Sequence, residues 1–168
     1  MLYVCSLADL HETVNTTGAR HVVTLLGIED HVPLPKGVDP RDYLRLHMHD
    51  ISEPMQGQVT PDTGHVEQLV SFARRWDRAA PMVIHCYAGI SRSTAAAFTM
   101  VCALNPQRDE SEIAMALRRA SPTAMPNVRI VRLADQVLGR GGRMVAAVAA
   151  IGPCVPAVQG APFQLDLE

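Results

Sequence analysis

The stretch from Pro81 to Leu104 constrains the fold of this chain more than any other. Pro81–His85 (PMVIH) is short and apolar, the pattern of a strand buried on both faces. CYAGISRS follows, then small residues from about Ser93 to Leu104 that read as a helix halted by Asn105-Pro106. A buried strand that feeds a helix through so few residues must curl tightly, and Gly89 supplies the backbone freedom for it. Such a curl points successive N–H groups into one concavity and adds the positive end of the helix. An anion is its natural occupant.

The rest of the chain supplies a sheet and helices around this unit. Leu2–Cys5 reads as a short buried strand, Ser6 as the cap of a helix from Leu7 to about Thr16, and Gly18 as its end. His21–Leu26 (HVVTLL) has the β-branched pattern of an interior parallel strand. Gly27–Asp42 carries prolines and glycines and reads as a loop. Tyr43–His49 alternates, with Leu44, Leu46 and Met48 on one face, and predicts a third strand. Pro54 and Gly57 then break structure. A helix is expected from Pro61 to about Arg78 on the spacing of Val66, Leu69, Val70 and Ala73. Further helices follow over Asp109–Ala120, and over Val128–Leu138 behind a cap at Asn127 and ahead of Gly139. Strands alternating with helices predict an α/β fold: a central, mostly parallel sheet of four to five strands with helices on both faces. We expect one domain over 1–151 and a Pro-rich C-terminal tail over 152–168.

The chemistry sits in residues 85–93. The field of the loop favours an anion at its mouth, a Cys86 thiolate included, and a thiolate is an activated nucleophile. Arg92 offers a planar fork that matches two phosphoryl oxygens and meets charge developing on them. Tyr87, Ala88, Gly89, Ile90 and Ser91 would bind phosphate through their backbone. Ser93 is placed to hydrogen-bond the sulfur, and His85 to orient the loop. Cleaving a phosphoester also calls for a general acid. Asp50, upstream on the stretch before Ser52-Glu53-Pro54, is the expected one; Asp62 and Asp30 are weaker candidates.

HCYAGISRS resembles the HCxxGxxR[ST] signature of the protein tyrosine phosphatase superfamily, and its AGxSRS ending is similar to the dual-specificity branch. Leu117–Asn127 (LRRASPTAMPN) resembles the segment before the last helix of that branch. The similarity covers roughly Val22–Leu138. It implies a cysteine-dependent phosphatase acting through a cysteinyl-phosphate, with no cofactor or metal. Phosphotyrosine on a protein is the implied substrate, with phosphoserine and phosphothreonine as further ones. The sequence departs from the receptor-type Trp-Pro-Asp pattern, having His49-Asp50-Ile51. It also carries no lysine inside the loop of the kind lipid-directed members use.

Composition narrows the setting. Net charge is −2, which excludes the basic field that nucleic acid or an anionic membrane would need. Lys36 is the one lysine among 15 basic residues, an arginine-heavy usage expected of a GC-rich bacterial genome. Cys5, Cys86, Cys102 and Cys154 form no CxxC pair or disulfide framework. Met144–Ile151 is about half the length that spans a bilayer. The opening MLYVCSLADLHE lacks a leader pattern, so a reducing, cytoplasmic setting is expected. Two other readings remain: a non-catalytic phosphate-binding module on the same loop, and a metal-dependent hydrolase using His47 and His49.

Overall fold

The computed structural model describes residues 1–167. A five-stranded sheet runs in the order β3-β2-β4-β1-β5. Its strands are β1 (Leu2–Ser6), β2 (His21–Leu26), β3 (Tyr43–His47), β4 (Met82–Cys86) and β5 (Phe163–Leu165). All neighbours are parallel except β1–β5, which pair antiparallel with Leu2 opposite Leu165. Among the described residues six α-helices flank it: α1 (Leu10–Thr17), α2 (Thr63–Arg75), α3 (Arg92–Leu104), α4 (Glu110–Ala120), α5 (Val128–Val137) and α6 (Arg143–Ala150).

The two-residue period of the strands divides the core. Met82, Ile84 and Cys86 of β4 join Leu2, Val4, Val23 and Leu25 in the larger cluster, under α2–α6. Val83, Cys5 and Val22 face the other way, into a smaller cluster with Leu10 and Val14 of α1. α3 is buried on all sides from Arg92 to Cys102, and its alanines 95–97 let it lie close to the sheet. Phe98, fully buried in it, anchors this layer; truncating such a side chain to Ala costs about 3–5 kcal/mol. The central strand and this central helix are the two elements that flank the loop.

Several expectations are corrected. Ser6 ends β1 and caps nothing as a helix: its Oγ accepts from the Asp9 N–H and donates to Asp9 Oδ2, so a turn precedes α1 at Leu10. β3 stops at His47, short of His49. The Met48 N–H still donates to Leu26 O, but the Met48 carbonyl accepts from Arg92 and the His49 N–H donates to Val59 O. The ladder ends because the backbone is redirected toward the loop. α2 begins at Thr63, with Asp62 and His65 forming a reciprocal capping box, and ends at Arg75; Arg78 adopts a φ of 63° beyond it. The apolar stretch around Met144 forms α6, whose N-terminal amides at Gly142 and Met144 donate to the buried Asp135 carboxylate. No helix among the described residues is long and apolar enough to cross a membrane. The segment expected as a tail returns to the sheet as β5.

Candidate active site

Cys86 closes β4 and Arg92 opens α3, so residues 87–91 turn the chain at the C-terminal edge of the central strand. Four of the five carbonyls of this loop are bound by segments outside it. Tyr87 O accepts from the Leu7 N–H at 3.1 Å, Ala88 O from Gly160 at 2.9 Å, Ile90 O from Met125 at 3.0 Å and Ser91 O from Asn127 at 3.3 Å. The N–H groups of Tyr87 to Ser91 donate to no backbone carbonyl among the described residues. Amides seek partners strongly, so a loop with its carbonyls fastened outward presents these donors to an anion. Gly89 is required twice over. Its φ is 73°, and a Cβ there would lie 2.8 Å from the Cys5 carbonyl carbon and the Ser6 nitrogen.

Cys86 is only 2% exposed, yet it lines a cavity of about 300 Å³ together with Arg92, Asp50, Tyr87, Ile90 and Ser91. Its Sγ lies 3.1 Å from the buried Ser93 Oγ, one residue into α3. Arg92 is buried too. Its Nη1 donates to Met48 O at 2.8 Å, which fixes the guanidinium, while its Nε is buried without a partner. Behind the loop, His85 Nε2 and Thr24 Oγ1 share a buried hydrogen bond of 2.7 Å between β4 and β2. Burial pushes His85 down to about 4, so its ring is neutral near pH 7.

Asp50 is exposed at the rim of the same cavity. Its Oδ1 accepts from Ser91 Oγ at 2.7 Å and from Asn127 Nδ2 at 2.8 Å. Asn127 is also the N-cap of α5, its Oδ1 accepting from the N–H groups of Arg129 and Ile130. Arg129 extends the clamp, donating to Pro61 O and Ser52 O, so the segment after Asp50 is strapped to α5. Sequence reasoning missed this layer. It read Asn127 as a cap and Ser91 for its backbone, and nothing marked Arg129.

The other candidates take different places. Asp62 caps α2, and Asp30 accepts from the Gly27 N–H in a turn. His49 Nδ1 accepts from the Val59 N–H and its Nε2 meets Glu29, while His47 remains on β3. Among the described residues no three His, Cys, Asp or Glu side chains are grouped to hold a metal ion. Cys102 lies nine residues beyond Ser93, about 14 Å of helix rise. Burial pushes both Cys5 and Cys102 up to about 12, leaving those thiols protonated.

Comparison with known proteins places the chain's family and fold. The family model for protein-tyrosine phosphatase matches residues 35–125. No curated protein matches the chain. Among solved structures, that of DUSP15 is similar with a TM-score of 0.64 and 19% identity, over 90% of this chain and 92% of that one. Human DUSP28 is similar at 0.62 and 18%, over 90% and 95%. PTPMT1 is similar at 0.60 and 17%, over 90% and 96%. At such identities the likeness is one of fold. The chain belongs to the protein-tyrosine phosphatase family.

Proposed function

We propose that this chain hydrolyses phosphotyrosine on protein substrates, with phosphoserine and phosphothreonine as secondary substrates. The observation that carries the reading is the loop itself: carbonyls fastened to neighbouring segments, amides with no backbone acceptor among the described residues, and Cys86 lining one cavity with Arg92, whose buried Nε has no partner. The Cys86 thiolate attacks phosphorus in line, and the S–P bond forms as the bond to the leaving oxygen breaks. Asp50 protonates that oxygen; its Oδ2, which accepts no hydrogen bond among the described residues, carries the proton. Water then attacks the cysteinyl-phosphate and gives a proton back to Asp50 as the S–P bond breaks, returning its electron pair to Sγ and releasing inorganic phosphate. Ser93 donates a hydrogen bond to Sγ as charge returns to it. Arg92 and the loop amides hold the equatorial oxygens throughout.

The loop has no cationic side chain before Arg92 to meet a second phosphate, and the exposed Tyr87 gives its mouth an apolar edge. Both favour a single phosphate on an aromatic ring over an inositol phosphate. All four cysteines are unpaired, in keeping with a reducing, cytoplasmic setting. Initial rates on phosphotyrosine, phosphothreonine and phosphoinositide substrates test the reading. We expect that order of preference. Tight phosphate binding without turnover of any substrate would identify a non-catalytic phosphate-binding module instead.

A further inference from the structure

The catalytic cavity has a wall that comes from the far end of the chain. Ala157 and Val158 line it together with Cys86 and Arg92. The segment carrying them is fixed along its length. The Val155 N–H donates to Pro122 O at 2.9 Å, Gln159 Nε2 to Asp9 Oδ2 at 3.0 Å, and the Gly160 N–H to Ala88 O at 2.9 Å. Beyond Gly160 the chain pairs with β1 as β5. Gly160 packs so near the loop that a Cβ there would lie 3.1 Å from Gly89 O and 3.4 Å from Ile90 Cγ1. The segment is therefore part of the loop's support as well as of the cavity.

Between these anchors Val158 is 97% exposed. A lone exposed valine is ordinary on a protein surface. Here, however, Tyr87 and Met125, 64% and 57% exposed, line the same cavity. Apolar side chains thus stand around the mouth of a site whose floor is built for an anion. A ligand that fills such a site carries an anionic group next to an apolar one.

We propose that residues 155–160 form a built-in wall of the substrate site, and that Val158 is a specificity-determining residue that packs against the aromatic ring of the phosphorylated side chain. This deepens the phosphatase reading, on which it rests for the identity of the anion. Calorimetric titration of benzylphosphonate and of inorganic phosphate into wild type, Val158→Ser and Val158→Leu tests it. Because Val158 is exposed, neither substitution disturbs the core. The affinity for benzylphosphonate relative to phosphate should fall about fivefold in Val158→Ser and return in Val158→Leu. A change under about twofold, equal losses for both ligands, or no benzylphosphonate binding by wild type would overturn the wall. The titrations need no turnover. A protein that discriminates in this way but releases no phosphate from any ester contradicts the catalytic reading and leaves the wall standing.

Discussion

The two sides of the cavity that holds Cys86 are held by different means. On one side the 86–92 loop is held through its backbone: a buried strand enters it, a buried helix leaves it, and its carbonyls are caught by the turn after β1, the 121–127 segment and the C-terminal segment. On the other side Asp50 is exposed, and side chains hold it: Ser91 and Asn127 on its carboxylate, Arg129 on the segment that follows. On the proposed mechanism, the contrast makes anion binding and proton transfer separable. Side-chain changes on the acid side should remove catalysis while the cradle keeps its affinity for phosphate.

The sharpest break is Cys86→Ala. Turnover should fall by more than about 10⁴-fold while vanadate or phosphate still binds, read by steady-state kinetics and titration. Asp50→Asn comes next, with kcat down by about 10²–10⁴ and phosphate affinity held. A loss under about threefold would place the acid elsewhere.

The support beneath the loop gives a pH prediction. His85 stays neutral in the fold down to about 4, whereas an unfolded histidine takes a proton near 6.5. Between those values the unfolded state binds the extra proton, so stability falls as pH drops and levels off below the window. The loss should total about 3 kcal/mol in urea unfolding from pH 7 to pH 4, and most of that slope should vanish in His85→Gln. An unchanged slope in the variant would assign the pH dependence to other groups.

The smallest effect tests the clamp. Asn127→Ala should lower kcat about tenfold on a phosphotyrosine peptide, where the leaving oxygen needs a proton. It should matter less on p-nitrophenyl phosphate, whose leaving group needs little help. Equal losses on both substrates would reduce Asn127 to a helix cap.

The difference between the two sides also explains what was legible. The loop could be read because its requirements are local: an apolar strand, Gly89 at a positive φ, and Arg92 and Ser93 at the start of a helix all lie within one short stretch. The mostly parallel sheet follows from the alternation of apolar strands and helices, whereas the order that sets β4 at its centre does not. Asp50, the expected acid, was placed near the loop from its position upstream and lines the same cavity, but what holds it was not legible, because Asn127 and Arg129 act across about 77 positions of sequence. The early end of β3 was hidden for a related reason. Tyr43–His49 alternates faithfully, and the ladder stops where long-range bonds from Arg92 to the Met48 carbonyl and from the His49 N–H to Val59 O redirect the backbone. The Pro-rich segment beyond Gly152 gave no periodic signal, yet short β5 and the Gly160 contact place it at the cavity.

The central claim is that Cys86 carries the phosphoryl group. Rapid quenching of the enzyme with excess phosphotyrosine peptide, followed by mass spectrometry of the digested protein, tests it most directly. The account predicts one phosphoryl adduct on the peptide containing Cys86, more of it in Asp50→Asn if water attack slows more than transfer, and none in Cys86→Ser. Turnover without an adduct, surviving in Cys86→Ser and abolished by a chelator, would contradict it.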